Sequence, residues 1–118
     1  MARLVKKSTK AESQPDFVAN TLRIAELASQ IKALDIRAYD VRELTVVADV
    51  FVLCSASSEP QFKAIFNNIR EGMKEVGVAP LHTEGTFAGG WMVIDYGTVI
   101  VHLFRKEARE YYDLDGLW

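Results

Sequence analysis

The chain has little of the chemistry that catalytic and metal sites require. It holds one cysteine, Cys54, and two histidines, His82 and His102. A single cysteine excludes an internal disulfide framework and cysteine-rich zinc sites, and it fits a reducing compartment. Because Cys54 lies in an apolar run, we interpret it as an inert core thiol. Two histidines without a third ligand are a weak metal signal, so we predict no catalytic residue, no metal and no cofactor.

Long apolar segments are also missing. No run approaches the roughly 20 apolar residues that span a bilayer. The first 15 residues, MARLVKKSTKAESQP, lack the apolar centre of a signal peptide and resemble no long Arg/Ser-rich presequence. We therefore expect no membrane partner and a cytoplasmic location, with the bacterial cytosol favoured over an organelle.

Charge is unevenly distributed along the chain. The whole chain carries −2 and residues 1–15 carry +3, so residues 16–118 carry −5. We predict a disordered basic tail over residues 1–15 and a single folded domain over residues 16–118. An acidic domain is poorly suited to bind phosphates, so DNA is not an expected partner. It suits a basic protein partner better, although acidity that only aids solubility is equally compatible, and the tail leaves rRNA contact open.

The hydrophobic pattern predicts an α/β fold with a mixed sheet. A helix should run from Asp16 to about Leu34, and a second helix should begin at the capping box of Ser58 and Gln61 and end at Gly77. The predicted order is helix, strand, strand, helix, strand, strand, helix. Strands are expected at 35–41, 49–56, 91–96 and 99–104, and the last helix at 106–112. We expect the strand–helix–strand unit over residues 49–96 to be a right-handed parallel crossover.

The last two strands can be placed in register from the sequence. Gly97-Thr98 is typical of a two-residue hairpin loop, which sets Tyr96 opposite Val99 and Trp91 opposite Phe104. Alternation then predicts one ordinary core face and one mixed face. The mixed face carries Trp91, Val93, Asp95, Ile100, His102 and Phe104. Large aromatic side chains beside a carboxylate and an imidazole indicate a protein-binding surface rather than a catalytic one.

Two alternatives remain open at this point. The last helix could fold back over Trp91 and Phe104 and make them core, and a helix this short should bury either Tyr111 or Tyr112. The chain could also be a nucleotidyltransferase-like enzyme that uses the turn at Ser57-Ser58 and the carboxylate of Asp95. However, that turn has no glycine or lysine for a phosphate, and no second acid shares the face of Asp95.

Several ordered residues resemble the ribosomal silencing factor (RsfS/Iojap) family. They comprise Asp35-Ile36, Asp40, Asp49, Ser57-Ser58, Glu84-Gly85, Trp91, Asp95, Gly97, Val101-His102, Arg109, Tyr112, Leu114 and Leu117-Trp118. The resemblance covers residues 17–118. One departure is Thr98, where the family usually has an acid, so the hairpin tip lacks a charge here.

The resemblance implies a non-catalytic protein with a nucleotidyltransferase-like fold. Family members bind the large ribosomal subunit through ribosomal protein L-fourteen, block joining of the small subunit and repress translation in starvation, and they are commonly dimeric. On this basis we expect a homodimer when free. The predicted contacts with the ribosomal partner are Trp91, Asp95, Tyr96, Phe104 and Tyr112.

Overall fold

The computed structural model describes residues 3–4 and 16–117. Most of the predicted disordered tail, residues 1–2 and 5–15, lies outside the described residues. The two described tail residues, Arg3–Leu4, form a short strand that pairs with the first long strand. The predicted boundary between tail and domain stays a prediction.

The described chain contains six strands, three α-helices and a C-terminal 3₁₀ turn. In chain order these are β1 (Arg3–Leu4), α1 (Asp16–Gln30), β2 (Leu34–Asp40), β3 (Val50–Ala56), α2 (Glu59–Glu75), β4 (His82–Thr86), β5 (Trp91–Asp95), β6 (Val99–Arg105), α3 (Lys106–Tyr112) and the turn Leu114–Leu117. The predicted order is confirmed, with two short strands, β1 and β4, added to it.

The strands form one mixed sheet in the order β1-β2-β3-β6-β5-β4. Only β3 and β6 are parallel neighbours, and every other pair of neighbours is antiparallel. The mixed α/β class is therefore confirmed. The predicted crossover was placed on the wrong strand, because the parallel partner of β3 is β6 and not β5. After α2 the chain forms β4 and β5 first, and the hairpin then places β6 between β5 and β3. The pattern of residues 49–96 alone cannot indicate this path.

The main core lies between helices α1 and α2 and one face of the sheet. The apolar stripe of α2 contributes Phe62, Ile65, Ile69 and Met73, all fully buried. The facing side chains include Val50, Val52 and Cys54 of β3 and Val99, Val101 and Leu103 of β6. This assignment confirms Cys54 as a buried core thiol, and burial raises its pKa to about 12.

The predicted start and end of α2 are both present, but Gln61 reaches back to Ser57 and not to the N-cap residue Ser58 as the predicted capping box requires. The Ser58 side chain accepts a hydrogen bond from the backbone N–H of Gln61, and Gln61 Oε1 accepts from Ser57. Gly77 ends the helix with φ +79°, a conformation that favours glycine. Helix α1 ends at Gln30 rather than Leu34, and Leu34 begins β2 instead.

Candidate protein-binding face

The hairpin register predicted from the sequence is confirmed. Trp91 pairs with Phe104 and Val93 with His102, and the backbone N–H of Tyr96 donates to Val99. Since direct cross-strand partners share a face, the register defines the sheet face away from α1 and α2, here called the open face. It carries three rows, namely Tyr39–Phe51–Ile100–Asp95–His82, Arg37–Leu53–His102–Val93–Glu84 and Ser55–Phe104–Trp91–Thr86.

Five rings form an aromatic cluster on the open face: Phe51, Trp91, His102, Phe104 and Tyr112. Trp91 lies at its centre, with ring centroids 5.2 Å from Phe104 and 4.8 Å from Tyr112. Phe51 approaches His102 at 4.7 Å on the far side. Aromatic pairs at these spacings add stabilisation beyond their buried area, so each ring helps to fix the orientation of its neighbours.

A hydrogen bond between side chains holds the indole of Trp91 in place. Its Nε1–H donates to Nδ1 of His102 at 3.1 Å, which places the proton of the neutral imidazole on Nε2. His102 is only 7% exposed, and this burial lowers its pKa to about 4. The imidazole therefore stays neutral at physiological pH and keeps accepting from the indole.

The aromatic side chains predicted to contact a partner differ in accessibility. Trp91 is half-buried, and Tyr112, reaching over from α3, is 43% exposed. Phe104 has no exposed surface, so the expectation that it touches a partner directly is corrected. It lies beneath Trp91 and Tyr112 because α3 follows β6 without a linker and returns over the strand. The alternative that α3 makes both rings core therefore holds for Phe104 and not for Trp91.

The two remaining predicted contact residues lie near the turn of the hairpin. Asp95 faces the open side, where Oδ1 accepts from the backbone N–H of Gly97 at 2.7 Å and Oδ2 is 3.6 Å from His82 Nδ1. Tyr96 faces the main core and is buried, as alternation requires, and burial raises the pKa of its hydroxyl to about 12. Its buried position leaves little surface for a partner.

The buried polar anchor of helix α3 is an arginine, whereas its tyrosines remain exposed. Neither Tyr111 nor Tyr112 is buried, so that expectation was wrong, whereas Ala108 and Arg109 are buried. The Arg109 guanidinium donates through Nε and Nη2 to the two carboxylate oxygens of Asp115, both at 3.0 Å. It also donates to Ser55 Oγ at the end of β3. Sequence reasoning gave Arg109 no structural role, because its partners come from distant segments.

An open cleft of about 390 Å³ lies beside the aromatic cluster. It is lined by Glu84, Gly85, Thr86, Gly89, Trp91, Val93 and Tyr112. The cleft thus brings two of the predicted contact residues, Trp91 and Tyr112, to one opening. It adds Glu84, whose side chain is 71% exposed and which was not among the predicted contact residues.

Comparison with known proteins identifies the family of this chain. The model of the family described as ribosomal silencing factor during starvation matches residues 13–118. The chain belongs to this family. Among curated relatives, the ribosomal silencing factor RsfS of Bacillus subtilis is 39% identical over 98 residues, 82% of this chain and 83% of that protein. The chloroplastic protein Iojap of Zea mays is 30% identical over 94% of this chain, which spans 48% of that longer protein.

Solved structures share the fold as well. A crystal structure of a protein from Chromobacterium violaceum superposes with a TM-score of 0.80 at 32% identity, covering 85% of this chain and 83% of that one. A second, from Bacillus halodurans, has a TM-score of 0.73 at 32% identity, covering 85% and 94% of the two chains. The fold described above is therefore that of experimentally determined relatives.

The layout required by the nucleotidyltransferase alternative is not assembled. Asp95 aligns across the sheet with Phe51, whereas the Ser57-Ser58 turn follows the opposite end of β3. Four strand positions separate Phe51 from Ser55, a distance of about 13 Å at 3.3 Å per residue. The turn itself is occupied by the helix cap, because Gln61 Oε1 accepts from both N and Oγ of Ser57. The residues named for that activity therefore do not converge.

Within residues 3–4 and 16–117, no three side chains of His, Cys, Asp or Glu converge in a way that could hold a metal ion. In the same part of the chain, no helix has the length and apolar character needed to cross a membrane.

Proposed function

We propose that this chain binds the large ribosomal subunit through ribosomal protein L-fourteen and sterically blocks joining of the small subunit. The observation that carries the proposal is the open face, where Trp91 and Tyr112 are accessible on a rigid aromatic cluster. The domain over residues 16–118 carries −5, which suits a basic ribosomal protein. Membership of a family described as ribosomal silencing factors during starvation supports a ribosomal partner and the same physiological setting.

The geometry of Trp91 suits it to be the main anchor of such an interface. One side of the indole packs on Phe104, and its N–H is already paired with His102. The side chain therefore loses little conformational freedom when a partner arrives, which preserves binding free energy. Anchors of this kind are typically central aromatic residues that are worth about 2 kcal/mol or more on truncation.

Repression by this route needs occupancy and no catalysis. An interface of standard size, roughly 1,600 Å² in total, is enough to keep a protein of 118 residues on a subunit surface. Any small subunit that must approach the same surface is then excluded. We further propose that the free protein is a cytosolic homodimer, and that the basic tail adds at most a secondary contact to rRNA.

Sucrose-gradient fractionation tests the proposal directly. Tagged protein in a lysate should sediment with free large subunits and not with small subunits or joined ribosomes. Trp91→Ala should lose at least tenfold in co-sedimentation while keeping its fold, as measured by urea unfolding. The matched control is Leu22→Ala, which removes an exposed apolar side chain from α1 on the opposite layer.

A joining assay separates binding from repression. Purified large and small subunits are mixed in magnesium buffer, and light scattering reports their association. Pre-incubation of the large subunit with the protein should reduce the scattering amplitude in proportion to occupancy, and Trp91→Ala should restore it. Undiminished joining at full occupancy would show that the protein binds without excluding the small subunit.

A further inference from the structure

The cleft beside the aromatic cluster has the chemistry of a site for a cationic side chain. Two of its walls are aromatic, Trp91 and Tyr112, and a third carries the carboxylate of Glu84. Gly85, Thr86, Gly89 and Val93 complete the lining. Arginine and lysine combine a long apolar stem with a charged head, so they fit a site with apolar walls and an acid at its rim. Aromatic rings also attract a cation placed over their faces.

We propose that this cleft binds one arginine side chain of the protein partner, with its stem against Trp91 and Tyr112 and its guanidinium paired with Glu84. The inference rests on the proposed function for the identity of the partner and extends it by naming the group recognised. Arginine is favoured over lysine because its planar guanidinium can stack on rings and pair with a carboxylate in two-point geometry.

Asp95, the carboxylate among the predicted contact residues, is less well suited to pair with the guanidinium. Asp95 already accepts from Gly97 N–H and faces His82, and its side chain is 18% exposed. Glu84 also lies near His82, with Oε1 3.4 Å from Nε2, but its side chain is 71% exposed. Glu84 can therefore turn toward an incoming cation without giving up a backbone hydrogen bond.

Glycine at position 85 allows β4 to pack closely against β5 at the edge of the cleft. Gly85 has φ +91°, and a Cβ there would collide with the carbonyl oxygen of Trp91. A side chain at this position is therefore excluded by both conformation and space. The glycine therefore lets β4 and β5 pair closely, and this pairing brings Glu84 and Thr86 to the face that carries Trp91 and Val93.

The charge of the surroundings favours a protein over a nucleic acid as the source of the ligand. The domain over residues 16–118 carries −5, and the one charged side chain among the described residues that line the cleft is an acid. A phosphate would be repelled from this opening, since nucleic-acid sites supply lysine and arginine to the backbone. A basic protein surface supplies the complementary charge.

Peptide titration tests the cleft itself. The probes are the capped peptide Gly-Gly-Arg-Gly-Gly and its neutral isostere with citrulline in place of arginine, followed by ¹H–¹⁵N spectra of the full chain. The arginine peptide should shift the Trp91 indole signal, assigned by its loss in Trp91→Phe, together with the Gly85 and Gly89 amides. The citrulline peptide should bind about tenfold more weakly. Equal shifts from both peptides, or no shift at these signals, would overturn the proposal.

A double comparison isolates the role of Glu84. Glu84→Gln should lower the affinity for the arginine peptide about fivefold and leave the affinity for the citrulline peptide unchanged, because only the charged guanidinium pairs with the acid. Equal losses for both peptides would contradict a guanidinium at Glu84. A uridine oligonucleotide that shifted the same signals would also overturn the proposal in favour of RNA.

Co-sedimentation then separates failure of this inference from failure of the proposed function. Glu84→Lys should reduce binding to large subunits at least tenfold, whereas Glu71→Lys, which alters an exposed acid on α2, should lose only the small part that comes from slightly slower association. If Glu84→Lys bound large subunits normally while Trp91→Ala did not, the proposed arginine site would be rejected and the proposed function would still be supported. If the unaltered protein failed to co-sediment with large subunits, the proposed function would be rejected. The peptide titration would still show whether the cleft binds arginine.

Discussion

At the scale of single residues, His102 links the open face to stability at acid pH. Burial lowers its pKa to about 4 from an ordinary value of 6.5. At a pH between these two values, His102 is protonated in the unfolded chain and neutral in the folded chain. The contribution of the neutral His102 to the free energy of unfolding is therefore fully present above pH 6.5. It falls by up to about 3 kcal/mol as the pH is lowered toward 4. Urea unfolding at pH 7 and pH 4.5 should show a smaller difference for His102→Phe than for the unaltered chain.

The same titration has a spectroscopic consequence at Trp91. Protonation of Nδ1 removes the acceptor of the indole hydrogen bond. The Trp91 indole N–H resonance should therefore stay constant from pH 7.5 to about pH 5 and move only as His102 titrates near pH 4. Movement centred near pH 6.5 would show that the imidazole is not buried as described.

Gly90 is the second residue on which the open face depends. It has φ +81°, and a Cβ there would lie 2.7 Å from Cβ of Ala108 on α3. Gly90→Ala should therefore destabilise the protein by about 2–3 kcal/mol, through backbone strain and displacement of α3. Gly77→Ala is the matched control, since its φ of +79° is similar and nothing lies within 4 Å of its Cβ. Urea unfolding should show a larger loss for Gly90→Ala, and equal losses would contradict the close packing of α3.

At the scale of elements, the C-terminal turn fastens α3 to the sheet. Asp115 in this turn accepts two hydrogen bonds from Arg109 and one from the hydroxyl of Tyr39 on β2. Hydrogen bonding to Arg109 lowers the pKa of the Asp115 carboxyl. Since its ionised form is the one stabilised, this contribution is present above the ordinary pKa of aspartate and is lost as the pH falls through the lowered value.

Removing that carboxylate should loosen α3 more than it unfolds the domain. Asp115→Ala leaves the buried Arg109 without its main partner, so we expect a loss of about 2 kcal/mol in the free energy of unfolding. Faster hydrogen exchange should be confined to α3 and the turn. Asp113→Asn is the control, because Asp113 ends α3 with φ +49° and asparagine tolerates that conformation. Exchange that increased equally in both variants would contradict a fastening role for Asp115.

The elements also show where sequence reasoning succeeds and where it stops. The register of β5 and β6 was predictable because alternation and a glycine turn are local signals. The parallel pairing of β3 with β6 was not, since it depends on the path of a whole hairpin. The burial of Phe104 and Arg109 depends on how α3 packs back over β6. That tertiary contact has no local signal in the sequence. Trp91 and Tyr112, both predicted as partner contacts, lie side by side on the open face, whereas Glu84 lines the cleft only because β4 pairs with β5.

At the scale of the whole molecule, an acidic domain with an aromatic anchor should divide binding into two measurable parts. Charge on residues 16–118 acts over distance and accelerates encounter with a basic partner, an effect that salt screens within about 8 Å at 0.15 M. The aromatic contact acts only after docking and controls dissociation. Raising salt from 50 to 300 mM should therefore slow association with immobilised large subunits severalfold and change dissociation little.

Substitutions should likewise affect either the association rate or the dissociation rate, depending on whether they change charge or the aromatic anchor. Glu71→Lys, distant from the open face, should slow association slightly and leave dissociation unchanged, because it alters only the long-range field. Trp91→Ala should leave association nearly unchanged and accelerate dissociation tenfold or more, since it removes the anchor without altering charge. If instead Trp91→Ala slowed association and left dissociation intact, the indole would act before docking. The steric mechanism would then need a different surface to hold the protein on the subunit.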